Sequence, residues 1–174
     1  YADILQIGSR NMYNQDLLIK VAAAGKPVLF KRHFGASIEE FLSFSEYIAA
    51  SGNKDIILCE RGIVPVGRGK NYTRYVLDLQ AVPVIQRETY LPVVVDPSHA
   101  AGRRDLIATM SLSAIAAGAS GLEIEVHHNA KEARCDGQQM ITASELGALI
   151  ESCRRVNRAI RDSGGDYTGY KCKN

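Results

Sequence analysis

The chain has no apolar run near the ~18 residues that a membrane-spanning helix needs, which argues against an integral helical membrane protein. It has almost no charge imbalance. A net charge of +2 over 174 residues is too small to indicate nucleic acid or a membrane surface as a partner. Cys59, Cys135, Cys153 and Cys172 show no C-x-x-C spacing. The reducing cytosol is the simplest compartment for them, so a cytoplasmic location is expected. Tyr1-Ala2-Asp3 carries no basic n-region, so no secretory leader is expected. No G-x-G-x-x-G follows the first strand-like run, which weakens a dinucleotide reading, and no G-x-S-x-G marks a nucleophilic serine. There is also no cap or tail before Ile4-Leu5-Gln6-Ile7, which already reads as a core strand; further sequence upstream is expected.

What is present is an ordinary globular composition, 46% hydrophobic, in a chain long enough to bury a core. Strand-like and helix-like segments alternate. The strands are expected at 2–8, 26–31, 55–59, 91–96 and 122–127. Asn14 reads as the N-cap of a helix to Ala24, ended by Gly25. Ser37 with Glu40, and Thr142 with Glu145, have capping-box spacing and predict helices to about Ser51 and Arg161. Further helices are expected at 73–81, after the Gly-rich segment 67–70, and at 103–117. Phe41, Phe44 and Tyr47 follow helical spacing and are read as core.

This alternation implies right-handed βαβ units and a parallel sheet, either an open doubly wound sheet or a barrel. Polar residues stand at the C-terminal end of each strand: Arg10, Lys31, Arg61, Asp96, His99 and Glu125. In a (β/α)8 TIM barrel those ends converge on one mouth. A full barrel needs ~250 residues, so the reading is an α/β chain with only the last five β/α units, residues 1–161, followed by a flexible tail at 162–174.

Two groups at that mouth carry chemistry. Arg10, Lys31 and Arg61 follow three successive strands, and their repetition favours a phosphorylated or carboxylated ligand over unrelated surface charges. His99, Glu125 and Asp136 arrive from separate segments and have the donor types of a divalent metal site. Strand alternation puts Leu122, Ile124 and Val126 toward the helices and Glu123, Glu125 and His127 inward, with His128 solvated. Two inward carboxylates are costly without a cation, so Glu123 is expected to pair with a basic group, Lys31 first. Arg103 and Arg104 at a helix start oppose the helix dipole, a cost that a bound anion there would offset.

Gln6-Ile7-Gly8-Ser9-Arg10-Asn11, Leu58-Cys59-Glu60-Arg61-Gly62, Asp96-Pro97-Ser98-His99-Ala100-Ala101-Gly102-Arg103-Arg104 and Ile124-Glu125-Val126-His127 together resemble the 3-deoxy-D-arabino-heptulosonate 7-phosphate (DAHP) synthase family, type I-beta branch, over residues 1 to about 152. The resemblance implies strands 4 to 8 of that family's barrel. It implies condensation of phosphoenolpyruvate with erythrose 4-phosphate, releasing phosphate, at the start of aromatic amino-acid biosynthesis. It implies substrate contacts from Arg10, Lys31, Glu60 and Arg61, a metal such as manganese on His99, Glu125 and Asp136, and catalytic roles for Lys31, His99 and Glu125. A homo-oligomer is also expected. The family's Gly-Pro-Cys motif, which supplies a fourth ligand, and its Lys-Pro-Arg-Thr motif are absent. The related 3-deoxy-octulosonate 8-phosphate synthase and a non-catalytic partner subunit are the alternatives.

Overall fold

The computed structural model describes residues 1–66 and 72–163. Five strands, β1 (Leu5–Ile7), β2 (Val28–Lys31), β3 (Ile56–Glu60), β4 (Val93–Val95) and β5 (Gly121–Leu122), form one sheet in sequential order. Every pairing is parallel, with Phe30 opposite Leu58 and Cys59 opposite Val94. Helices α1 (Gln15–Ala22), α2 (Ile38–Ala50), α3 (Ala81–Glu88), α4 (Pro97–Ala101), α5 (Ile107–Ala116) and α6 (Ala143–Asp162) intervene or follow. This is the α/β class with a parallel sheet that the alternation implied.

Local signals explain much of this. Asn14 Oδ1 accepts from Leu17 N–H at 3.1 Å. Both capping boxes form: Glu40 N–H donates to Ser37 Oγ at 3.0 Å, and Thr142 N–H donates to Glu145 Oε2 at 2.7 Å. The main core lies between the sheet and α1–α3, around Phe30, stacked on Phe41 at 5.3 Å, with Leu58, Ile85 and Val93. A second cluster joins Ile107, Ile141 and Leu149, with Ile124 against it, and fixes α6 on α5.

Several expectations need correction. The helix expected at 73–81 is instead α3 at Ala81–Glu88. The chain before it is drawn across the molecule: Val76 bridges Ile63, Tyr75 N–H donates to Ala100 O at 2.8 Å, and Arg74 N–H donates to Ala101 O at 3.0 Å. Pro83 suits the first turn of α3, where its missing N–H costs no intrahelical bond. The helix expected at 103–117 is present as a 3-10 turn at Arg104–Leu106 that runs into α5 at Ile107. The segment before it holds a further short helix, α4, which Asp96 caps and Gly102 ends in a left-handed turn with φ 65°. A side chain at Gly102 would meet Arg74 Cβ at 2.7 Å, so the close crossing of the two segments needs glycine there.

The strand expected at 122–127 keeps ladder geometry only at Gly121–Leu122. Its later backbone groups find other partners, Ser98 Oγ for Glu125 N–H and Ile141 O for His127 N–H. Tyr47 is exposed rather than core, with its hydroxyl accepting from Gln15 Nε2. Arg103 and Arg104 pair with Asp105 and Glu145, both at 2.6 Å, so protein carboxylates already offset the dipole cost. The segment 67–70 lies outside the described residues, as does all of the expected tail beyond Ser163.

Candidate active site

The C-terminal ends of the strands meet at one pocket of about 310 Å³, as parallel α/β architecture dictates. Its lining includes Arg10, Lys31, Arg61, Arg74, His99 and Asp136. Residues distant in sequence therefore share one cavity.

The cationic half rests on β2 and β3. Lys31 is 3% exposed, and its Nζ sits 2.8 Å from Asp96 Oδ2 and 2.6 Å from Glu123 Oε1. The expected Glu123–Lys31 pair is thus present. Burial alone would lower the Lys31 pKa, but the Asp96 charge and the hydrogen bonds to Asp96 and Glu123 outweigh it and raise it above the ordinary lysine value. Arg61 is 5% exposed, with its guanidinium 4.4 Å from the Tyr75 ring centre. Its Nη1 is buried without a hydrogen-bond partner. A buried guanidinium N–H without an acceptor is costly, so an anionic ligand is its natural complement. Gly62, at φ 93°, lets Tyr75 approach, since a Cβ there would lie 2.7 Å from Tyr75 Cβ.

Glu60 does not line this pocket. It is fully buried; Oε2 takes Arg32 at 2.9 Å, and Oε1 takes the Gly62 N–H at 2.6 Å. Burial pushes its pKa up, with Arg32 and the Gly62 N–H pulling the other way. Its structural work is to hold the turn that presents Arg61. Arg32, absent from the sequence reading, is equally consumed, bridging Glu60 and Asp78.

The other half gathers His99 on α4, Glu125 after β5 and Asp136 from the following loop. One ligand atom from each lies within 4.8 Å of the others. His99 Nδ1 stands 2.7 Å from Asp96 Oδ2. A carboxylate can only accept, so Nδ1 donates to Asp96, and Nε2 is the ring nitrogen turned to the other carboxylates, 3.6 Å from Glu125 Oε1. Glu125 is held by Gln139 Nε2 and, through its backbone, by Ser98 Oγ at 3.0 Å. Asp136 adopts φ 50°, a left-handed conformation, and pairs with Arg74 at 3.3 Å. An imidazole nitrogen and two carboxylates, with His99 and Glu125 each held by an outer partner, have the donor types of a divalent transition-metal site.

His127 stays outside this set; its Nδ1 accepts from Asn129 N–H, and its ring stacks on His128 at 4.5 Å. No described cysteine joins it either. Cys59 instead adjoins Asp96 and Glu123, where Lys31 already supplies the cation. Burial raises the Cys59 thiol well above its usual pKa, so it stays protonated.

Asp96 links the halves. It binds Lys31 through a side-chain ion pair and His99 through both ring and backbone, and it is fully buried. Burial by itself would raise its pKa, but the His99 hydrogen bond and the Lys31 charge outweigh this and lower it. Its strand-end position was visible in the sequence. The parts played by Arg74, Tyr75 and Gln139 had no such signal.

The fold and this mouth define a class: a parallel α/β chain that presents cations and a mixed His/carboxylate set together at its strand ends. Residues 1–161 match the DAHP synthetase I family, and the chain belongs to it. It is 48% identical over 160 residues to the phospho-2-dehydro-3-deoxyheptonate aldolase of Thermotoga maritima, covering 92% of this chain and 46% of that protein. It is 31% identical to the 2-dehydro-3-deoxyphosphooctonate aldolase of Pelobacter propionicus, covering 60% of that protein. A truncated DAHP synthase from Thermotoga maritima superposes with a TM-score of 0.88 over 92% of this chain and 60% of that one. The chain therefore spans about half the length of the curated relatives it matches.

Proposed function

We propose that the chain forms the substrate- and metal-binding part of a (β/α)8 barrel that condenses phosphoenolpyruvate with erythrose 4-phosphate to give DAHP and phosphate. The observation that carries this is Arg61, buried at the pocket with Nη1 unpartnered beside Lys31 and Arg10. The barrel reading rests on the sequential parallel sheet and on an apolar groove of about 420 Å³ beside the edge strand β5, lined by Leu122, Ile124 and Leu146.

In this reading Arg10, Lys31 and Arg61 hold the phosphate and carboxylate of phosphoenolpyruvate. His99, Glu125 and Asp136 hold a divalent metal, manganese being the proposed ion. A metal held there would supply Lewis-acid chemistry for the aldehyde oxygen. The C3 carbon of phosphoenolpyruvate then bonds to the aldehyde carbon, whose oxygen takes up a proton. Water adds its oxygen at C2 and gives up a proton that balances the one taken by the aldehyde oxygen; the bond from C2 to the phosphate oxygen then breaks, giving the ketone and phosphate with the remaining hydroxyl proton. Lys31, kept protonated by Asp96 and Glu123, has one N–H left to donate to the anion and keeps its positive charge at the pocket wall. With His99 and Glu125 it makes up the proposed catalytic set; Glu60 supports Arg61 from behind. Cys59, Cys135 and Cys153 are free thiols, which agrees with a cytoplasmic, reducing setting. No helix among the described residues is long and apolar enough to cross a membrane. Self-association into a homo-oligomer belongs to the same proposal.

The test is phosphate release by the full-length protein with Mn2+ and both substrates, followed by 31P NMR. Release that requires erythrose 4-phosphate is expected. Release with arabinose 5-phosphate instead would favour the eight-carbon product, and no release with either would refute the enzyme reading.

A further inference from the structure

Arg74 stands between the two halves of the pocket. Its Nη1 lies 3.3 Å from Asp136 Oδ1 and 3.3 Å from Gln139 Oε1, and Gln139 in turn donates to Glu125. One guanidinium therefore holds one ligand of the metal set directly and a second through a wholly buried amide. The same side chain lines the cavity with Arg10, Lys31 and Arg61, and it is 34% exposed, so it has room to move. Its backbone does not share that freedom: the Arg74 and Tyr75 N–H groups are bound to Ala101 O and Ala100 O.

Two carboxylates whose oxygens approach within 4.8 Å need positive charge nearby. Arg74 supplies it in this structure. A divalent ion on His99, Glu125 and Asp136 would neutralise both carboxylates and repel the guanidinium. Like charges this close cannot share one carboxylate at low cost. With its backbone pinned, the side chain has the cavity to turn into, where the charges expected to be bound are anionic.

We infer that Arg74 is a resident counter-cation of the ligand set, displaced by the incoming divalent ion and transferred to the anion pocket, so that metal loading strengthens anion binding. This rests on the proposed ligand set. Arg74 is a positioning residue in the metal-free state and an anion contact in the loaded one. Linkage requires the effect to be reciprocal: a bound anion that holds Arg74 away from Asp136 must also tighten metal binding.

The experiment is calorimetric titration of the full-length protein with Mn2+, then with inorganic phosphate in the absence and presence of Mn2+, for wild type, Arg74→Gln and Arg74→Lys. An exposed ion pair of this kind is worth a few-fold in affinity. Arg74→Gln should therefore bind Mn2+ roughly 2- to 5-fold more tightly, with the gap closing at high salt. Arg74→Lys, which keeps the charge, should stay near wild type. Mn2+ should tighten phosphate binding in wild type and do so less in Arg74→Gln. Unchanged or weaker Mn2+ binding in Arg74→Gln overturns the inference, because Arg74 would then be a scaffold for the ligands. A phosphate enhancement as large in Arg74→Gln as in wild type overturns the transfer to the pocket, since phosphate would then be held by the ion itself. Wild type that binds no Mn2+ overturns the ligand set along with this inference, a result distinct from the other two.

Discussion

The two halves of the pocket are built differently. Lys31 ends β2 and Arg61 directly follows β3; both are almost fully buried and braced by Asp96, Glu123, Tyr75 and the turn at Gly62. His99, Glu125 and Asp136 sit on a five-residue helix and on chain beyond β5, about a quarter exposed, and depend on Ser98, Gln139 and Arg74 for their positions. Strand-borne groups inherit their place from the sheet, whereas loop-borne groups need side-chain partners gathered from elsewhere. The first half is held rigidly by its partners. The second has room to adjust when an ion arrives.

Asp96→Ala breaks both halves at once and carries the largest expected effect. It leaves Lys31 buried with one fewer partner and His99 without its orienting carboxylate. Loss of one member of a buried ion pair costs about 3–5 kcal/mol, so the denaturation midpoint should fall clearly and Mn2+ affinity with it. A midpoint close to wild type would show that Asp96 is not the link. Arg61→Ala separates the halves. Hydrogen bonds to charged groups are worth about 1.5–3 kcal/mol, so phosphate affinity should fall roughly 10- to 100-fold while Mn2+ affinity is kept. His99→Ala is the reverse case: Mn2+ affinity should drop at least ~10-fold with metal-free phosphate binding retained, both read by calorimetry. Equal losses of both ligands in either variant would mean that the halves are a single unit.

The smallest effect concerns the cap of α6, outside both halves. Arg104 and Thr142 hold the Glu145 carboxyl down from 4.5 to about 2. A depressed folded-state pKa gives stability that is present above pH 4.5 and is lost as pH falls toward 2. Glu145→Gln should therefore flatten the acid limb of the stability–pH curve and leave neutral-pH phosphate binding unchanged. An acid limb identical to wild type would remove Glu145 from that account.

The Ser37–Glu40 and Thr142–Glu145 boxes were legible in the sequence because each signal lies within four residues and needs no tertiary partner. The inward face of Glu123 and Glu125 was legible through strand alternation, even though the ladder stops at Leu122. The helix expected at 73–81 was misplaced because Arg74, Tyr75 and Val76 bond to Ala101, Ala100 and Ile63, which no local pattern announces. Tyr47 was misjudged for a related reason: helical spacing gives a face, but a tyrosine at its margin can stay exposed with its hydroxyl on a surface partner, here Gln15 Nε2.

The chain by itself determined the alternation of strands and helices, the caps of α1, α2 and α6, and which residue types stand after each strand, since these follow from short-range sterics, hydrogen bonding and periodicity. Tertiary structure alone decided that Asp96 joins Lys31 to His99, that Arg61 is left with a free donor, that Glu60 is spent on Arg32, and that Arg74 lies on Asp136. Those partners are 28 to 65 residues apart except for the Asp96–His99 contact. Only packing of the sheet brings them within a few ångströms, where a missing charge or an unfilled hydrogen bond has an energetic consequence.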